Sequence, residues 1–364
     1  MTLVYVIIGI SFLLCLGLTP LVIKMARKFG FVDIPKDSRR VHTKPMPRIG
    51  GLAIVISMIV GLGIYYLLTR NIPQIALGKQ FVGYAIAGLI IATMGFIDDA
   101  FTLRARFKFI FEMAAAITLY AFDVRISGIT VPFLDMDMID LKWLDFPVTV
   151  IWILAVTNAL NLIDGLDGLS AGIASIAATS LLIIFIATSA SLEAIVITAT
   201  LVGATLGFLP YNFNPAKTFM GDVGSNFLGL TLATVSILGF AKGYTMIAII
   251  APILAIGVPL FDTIFAMVRR IAKGQPPLRP DGAHIHHRLL KRGFNQRQAV
   301  LILYLITTVL CILAVLLVSA DIWKISILVV AAICFCIMGI LNMKKCKEIK
   351  KLDEYFRAAN YLSA

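Results

Sequence analysis

The chain has 364 residues, of which 60% are apolar and 14% charged, with a formal net charge of +12 and a mean hydropathy of +0.95. An ordinary soluble domain is about half apolar and about a quarter charged, so these values exclude a disordered chain and a soluble enzyme. Apolar runs recur from residue 3 to residue 341, which also excludes a soluble head on a single anchor.

Only helices and closed barrels satisfy the backbone in lipid. The runs are continuous rather than alternating, which predicts an all-α, polytopic integral membrane protein and not a barrel. A spanning helix needs about 20 apolar residues. Eleven candidate spans follow: 3–23, 50–68, 82–97, 107–122, 146–162, 169–188, 192–210, 226–240, 246–268, 299–319 and 322–341. They form one domain, 1–343, followed by a basic tail, 344–364. The first cation, Lys24, comes after the first run, so no cleavable leader is expected.

Along the chain, the first span leads into a basic segment ending in VHTKPMPRIGG, with Lys44 and Arg48. The third span closes in GFIDDA on Asp98 and Asp99. The fourth carries Glu112 four residues after Lys108, a spacing that predicts an ion pair between them. Asp123, Asp135, Asp137, Asp140 and Asp145 fall in or beside one loop, expected to be solvated or to contain strands. The fifth span runs into NALNLIDGLDGLS, where Asn161, Asp164 and Asp167 step by three and would share one helix face. Gly203 and Gly207 in the seventh have the spacing of a helix-packing face. Before the eighth, in FMGDVGS, Gly221 and Gly224 flank Asp222, and Ser225 is placed to cap the helix. That helix start would also suit a phosphate. Asp262 follows Gly257 and Pro259 in the ninth, as a structural carboxylate of a kinked helix or as part of a site. The polar stretch 269–298 holds AHIHHRLL. Of the five cysteines, Cys15, Cys311, Cys334 and Cys336 are expected within spans as small apolar residues, and Cys346 in the tail.

Lys and Arg orient the spans. Of the 32, 26 lie in the loops and tail on one side and 6 on the other, which predicts an outward N-terminus and a cytoplasmic C-terminus. The net charge then reflects topology and anionic lipid rather than nucleic acid. Asp98, Asp99, Asp164, Asp167 and Asp222 all fall on the cytoplasmic side, at span ends. Acids at membrane depth serve ions, protons or substrate. Magnesium takes one or two carboxylates with substrate phosphates, and these acids could supply it from three loops or could cap helices. For the histidine cluster, a basic phosphate or sugar pocket, a transition-metal site and a solvated loop all remain open.

In this order, VHTKPMPRIGG, GFIDDA, NALNLIDGLDGLS, YNFNPAKTFMGDVGS, PLFDT and HIHHRLL resemble the polyprenyl-phosphate N-acetylhexosamine-1-phosphate transferases, over about residues 20–295. The pattern His284-Ile285-His286-His287 looks like the N-acetylglucosamine branch, which starts teichoic acid linkage units and O-antigen or common-antigen lipids. The pentapeptide branch of peptidoglycan synthesis usually has three consecutive histidines. The resemblance implies roles. Asp98 and Asp99 match paired aspartates, one of which deprotonates the lipid phosphate. Asp222 matches the magnesium ligand, with Asp99 beside it, and manganese is a substitute metal. Asn161, Asp164 and Asp167 shape the nucleotide and metal site; Asn212 and Phe219 lie near the nucleotide, Phe219 against uracil. Lys44, Arg48, His284, His286, His287 and Arg288 contact phosphate and sugar. The implied reaction transfers N-acetylglucosamine 1-phosphate from UDP-N-acetylglucosamine to undecaprenyl phosphate on the cytoplasmic face of a bacterial plasma membrane. Phospho-MurNAc-pentapeptide transfer and cation-coupled transport are the alternatives. No nucleic acid is implied, and assembly as a monomer or a homodimer stays open.

Overall fold

A chain this apolar satisfies its peptide groups in lipid by closing each N–H on the carbonyl four residues back. The computed structural model, which describes residues 2–33, 45–72, 77–129, 139–240, 246–272, 274–275 and 284–319, does so in twelve α-helices. They are α1 (Thr2–Phe29), α2 (Leu52–Thr69), α3 (Lys79–Phe101), α4 (Ala105–Ala121), α5 (Asp145–Ile163) and α6 (Leu169–Ala187). There follow α7 (Leu192–Asn212), α8 (Gly221–Phe240), α9 (Met246–Ala255), α10 (Gly257–Ala272), α11 (Ile285–Lys291) and α12 (Gln296–Ser319). Seven of these, α1, α2, α3, α5, α6, α7 and α12, are long and apolar enough to cross a membrane. The protein is all-α and polytopic, as expected. Two antiparallel ladders of two residues per strand pair β1 (Val32–Asp33) with β2 (Met46–Pro47) and β3 (Gly128–Ile129) with β4 (Ile139–Asp140).

Ten of the eleven candidate spans fall on described helices. The span 322–341, the tail 344–364, Asp135, Asp137, Cys334, Cys336 and Cys346 lie outside the described residues. The span 246–268 is not one helix but two, broken at Ile256. Pro259 explains the break, because it has no N–H to give the Ala255 carbonyl. The Cys311 thiol of α12 approaches that carbonyl instead, at 3.8 Å.

α8 is apolar all round and buried along its length, between α3, α5 and α7. Its hydroxyls turn back on their own helix: Thr231 donates to the Phe227 carbonyl (2.7 Å) and Thr234 to that of Leu230 (2.8 Å). The outer helices keep large apolar side chains exposed, such as Leu13 and Leu21 on α1 and Leu301 and Leu305 on α12.

α1 lies closely against α7, and the small-residue spacing works as expected there. A Cβ at Gly203 would overlap the Ile8 carbonyl oxygen and stand 3.0 Å from the Phe12 nitrogen. Gly203→Ala is therefore expected to lower stability by about 1–3 kcal/mol, the usual range for overpacking. A thermal melt of the detergent-solubilised protein reads this. Gly63→Ala on α2, where nothing lies within 4 Å of the added Cβ, is the control with no loss.

Candidate active site

α3 ends at Phe101, where Thr102 takes a left-handed conformation (φ 55°) and donates its N–H to the Asp98 carbonyl at 2.8 Å. The last turn leaves the Asp98 and Asp99 side chains buried at the helix end. Asp98 Oδ1 accepts from the Leu103 N–H at 2.6 Å. The short reversal into α4 brings Lys108 back over them. Its Nζ lies 2.5 Å from Asp98 Oδ2 and 2.6 Å from Asp222 Oδ2. The expected pairing of Lys108 with Glu112 is thus replaced by tertiary partners. Glu112 accepts instead from Asn158 Nδ2 of α5, at 2.6 Å.

α8 begins at Gly221, five residues before the span expected at 226. Asp99 supplies the acceptor for its first amides: Oδ1 takes the Asp222 N–H (2.9 Å) and Oδ2 the Val223 N–H (3.1 Å). The anion at this helix start is therefore a carboxylate of the protein itself, not the phosphate anticipated there. Gly221 has φ +73°, and a side chain at this position would run into the Arg48 carbonyl and the Asp99 carboxylate. Ser225 is not a cap but sits inside the helix, donating to the Gly221 carbonyl (3.0 Å) and accepting from Asn161 Nδ2 (3.0 Å).

Asn161, Asp164 and Asp167 do not share a helix face, because α5 stops at Ile163. Asn161 is in its last turn, Asp164 is its C-terminal cap, and Asp167 lies in the turn before α6, where Gly168 has φ +80°. Asp164 Oδ1 accepts from Ser170 Oγ at 2.5 Å. Burial and the charges of Asp222 and Asp167 raise the Asp164 carboxyl to about 7, against the Ser170 hydrogen bond. Asp167 Oδ2 accepts from Asn214 Nδ2 (2.9 Å) and the Ala216 N–H (3.2 Å).

Arg48 pairs with Asp33 Oδ1 at 2.8 Å, while Lys44 lies outside the described residues. Asn212 is buried: Nδ2 donates to the Thr218 carbonyl (3.0 Å), and Oδ1 has no hydrogen-bond partner among the described residues. Phe219 is half-buried in the turn before α8, and its carbonyl accepts from the Gly50 N–H at 3.1 Å. Asp262 of α10 meets the histidine segment. Its Oδ2 lies 2.9 Å from His284 Nδ1, and its Oδ1 accepts from the Ile285 N–H at 2.9 Å. His286 is 1% exposed and packs over Gly165, where a Cβ would stand 2.5 Å from Nε2. Its Nδ1 has no hydrogen-bond partner among the described residues. The His286 and His287 rings are 4.2 Å apart, and Arg288 is exposed. Lys108, which the sequence offered only as a partner for Glu112, is thus central here, and Asp262, which it left between a structural and a site role, holds the histidine segment. A cation ten residues after Asp98, across a short reversal, is the signal that points to Lys108.

A model of glycosyl transferase family 4 matches residues 81–240, the segment from α3 to α8 that carries Asp98, Asp99, Asp164, Asp167 and Asp222. The chain is 39% identical over 343 residues to the probable undecaprenyl-phosphate N-acetylglucosaminyl 1-phosphate transferase of Bacillus subtilis, covering 92% of each protein. The chain belongs to glycosyl transferase family 4. The resemblance to the polyprenyl-phosphate N-acetylhexosamine-1-phosphate transferases is thereby borne out. The decaprenyl-phosphate N-acetylglucosaminephosphotransferase of Mycolicibacterium smegmatis is 34% identical, over 77% of this chain and 74% of its own. The phospho-N-acetylmuramoyl-pentapeptide-transferase of Caldicellulosiruptor bescii is 32% identical, over 86% of this chain and 97% of its own.

In this family 4 transferase, burial and then the neighbouring His287 push His286 down from the usual 6.5 to about 4. Its unfolded state therefore takes up a proton between those values that the folded state refuses. Folded stability must fall as pH drops through that window, by up to about 1.4 kcal/mol per pH unit. Melts at pH 7 and pH 5 should show a smaller acid loss for His286→Gln than for the unaltered protein. Equal losses would place the titration elsewhere.

Proposed function

We propose that this transferase moves N-acetylglucosamine 1-phosphate from UDP-N-acetylglucosamine to undecaprenyl phosphate and releases UMP. The observation that carries the reading is the meeting of Asp98, Lys108 and Asp222 at helix ends, beside the Asp164–Gly168 turn, in a chain 39% identical to a protein of that name. A site at helix ends meets both a soluble nucleotide and a lipid in the bilayer. Coupled transport would instead favour acids near the membrane midplane. The excess of Lys and Arg in the loops at this end supports a site on the cytoplasmic face, in a bacterial plasma membrane in this reading. The reaction would be the first membrane step towards a cell-wall or surface polysaccharide such as teichoic acid.

In the reaction, a phosphate oxygen of the lipid attacks the β-phosphorus of the donor. The bond from that phosphorus to the bridging oxygen breaks, and the electron pair leaves with UMP. Both reactants are anions, so positioning and charge neutralisation are the main tasks. Lys108 supplies fixed positive charge at the site. Asp98, with one oxygen on the Leu103 amide, is placed to take the proton of the attacking phosphate. Asp99 holds the start of α8, and so holds Asp222. The Asp164–Gly168 turn, Asn212, Phe219 and the histidine helix form the donor side. His286, neutral at pH 7, presents a buried ring nitrogen without a partner among the described residues.

Magnesium, with manganese as a substitute, fits these residues. Asp98 and Asp222 already converge on one cationic atom, the Lys108 ammonium. Among the described residues no cluster of three or more His, Cys, Asp or Glu is arranged for a metal. In this reading the donor's phosphates would complete the shell of an ion held by one or two carboxylates. Asp222 would hold it, while Asp99, the second ligand that the resemblance implies, has both oxygens on the first amides of α8. When bound, magnesium would stabilise charge on the diphosphate and the leaving UMP.

UMP release that requires both polyprenyl phosphate and magnesium tests the reading, with a panel of UDP-sugars to fix the donor. Acceptance of UDP-MurNAc-pentapeptide in place of UDP-N-acetylglucosamine would establish the pentapeptide alternative. Asp222→Asn should abolish turnover. Asp98→Asn and Asp99→Asn should each cut it by about 10²-fold or more. Raising the pH should partly rescue Asp98→Asn, because the lipid phosphate then ionises unaided. It should not rescue Asp99→Asn, whose defect is the loss of the α8 cap. Rescue of Asp99→Asn alone would exchange the two roles.

A further inference from the structure

The start of α12 is held unusually firmly for a helix that carries no proposed catalytic group. Asn295 and Gln298 form a reciprocal cap: the Gln298 N–H donates to Asn295 Oδ1 (2.8 Å), and the Asn295 N–H donates to Gln298 Oε1 (3.0 Å). The next residue, Gln296, offers its Oε1 to Asn214 Nδ2 at 2.9 Å. The same Asn214 amide nitrogen donates to Asp167 Oδ2, also at 2.9 Å. Arg297 sets the amide's orientation, because its Nε donates to the Asn214 carbonyl (3.0 Å) and to Oδ1 (3.3 Å), which leaves Nδ2 facing Gln296 and Asp167. Two turns further along α12 from this contact, the Tyr304 hydroxyl donates to the Gly168 carbonyl. The Asp164–Gly168 turn is thus fastened to α12 at two of its residues, once directly and once through Asn214.

We propose that Asn214 and Gln296 are positioning residues for the donor. The capped start of α12 fixes Gln296, Gln296 fixes Asn214, and Asn214 sets the Asp167 carboxylate. This rests on the proposed reaction, in which the Asp164–Gly168 turn faces the nucleotide sugar. A carboxylate that loses one of two donors gains freedom without leaving the fold, since the Ala216 N–H still holds Asp167 at 3.2 Å. The effect should therefore appear in donor binding rather than in folding.

The test uses the full-length protein with UDP-N-acetylglucosamine and polyprenyl phosphate. Asn214→Ala should raise the donor KM by about tenfold, the usual scale for one hydrogen bond to a charged group. The lipid-phosphate KM should change by less than about threefold, and the melting midpoint should hold. Gln296→Met, at a half-exposed position on the helix start, should shift the donor KM the same way by a smaller factor. It carries the test if Asn214→Ala does not fold. The double variant should be no worse than Asn214→Ala alone, because Gln296 acts through Asn214. Effects that multiply, or a donor KM left unchanged in folded variants, would overturn the inference. A purely structural role would lower the melting midpoint and move both KM values together. Should the unaltered protein release no UMP from this donor, the proposed reaction fails and the coupling is read by hydrogen exchange instead. Amides 164–168 should then exchange faster in Asn214→Ala than in the unaltered protein, and no faster in the double variant. Unchanged exchange would discard the coupling on its own terms.

Discussion

One carboxylate closing the amide end of another helix is the contact on which this site depends. α8 is half-buried at Gly221 and Asp222 and buried from Val223 onward, and first N–H groups left unpaired at such a helix start would be costly. Asp99 answers two of them with its two oxygens. The positive end of the helix dipole strengthens the contact. Because the acceptor comes from the end of α3, the pairing locks α3 to α8 in register as well as in distance. Asp222, carried in the first turn of α8, then has no freedom to leave Asp98 and Lys108. The left-handed Gly221 is the backbone condition for that approach.

The other parts of the site repeat the same device. In each, a polar group from one helix terminates or orients the end of another. Ser170 of α6 holds the Asp164 cap of α5, and Asn161 of α5 reaches Ser225 of α8. Asp262 of α10 fixes His284 and the first amide of α11. Asp262 lies in the second turn of α10, after the break at Ile256 that separates it from α9. The site is therefore a set of helix ends tied to one another. The spans behind it, joined by small residues such as Gly203, supply the rigid frame.

Much of this was legible in the sequence. Hydropathy located the helices because lipid leaves the backbone few choices, and the acids at span ends marked where the chemistry collects. What was not legible followed from tertiary contacts that override local rules. The i, i+4 spacing of Lys108 and Glu112 predicts a pair, but partners at Asp98 and at Asp222, 114 residues away in sequence, win. The three-residue step from Asn161 to Asp167 has meaning only if the helix continues, and α5 ends at Ile163. Ser225 has the side chain of a cap, yet the helix starts four residues earlier because a distant carboxylate caps it better. Pro259 signalled a disturbance in the ninth span, and the break became visible only with the Cys311 thiol standing by the orphaned carbonyl.

The cap on α8 has a consequence for how the protein comes into being. Asp99 precedes the amide it serves by 123 residues. At about 5–20 residues per second, the ribosome takes roughly 6–25 s to make the intervening chain. Throughout that interval Asp98 already has Leu103 and Lys108 within reach, whereas the amides that Asp99 will cap do not yet exist. α12, which fastens the Asp164–Gly168 turn, arrives later still. A chain that has not reached α8 holds Asp98, Asp99 and Lys108 but neither Asp222 nor the amides that Asp99 closes.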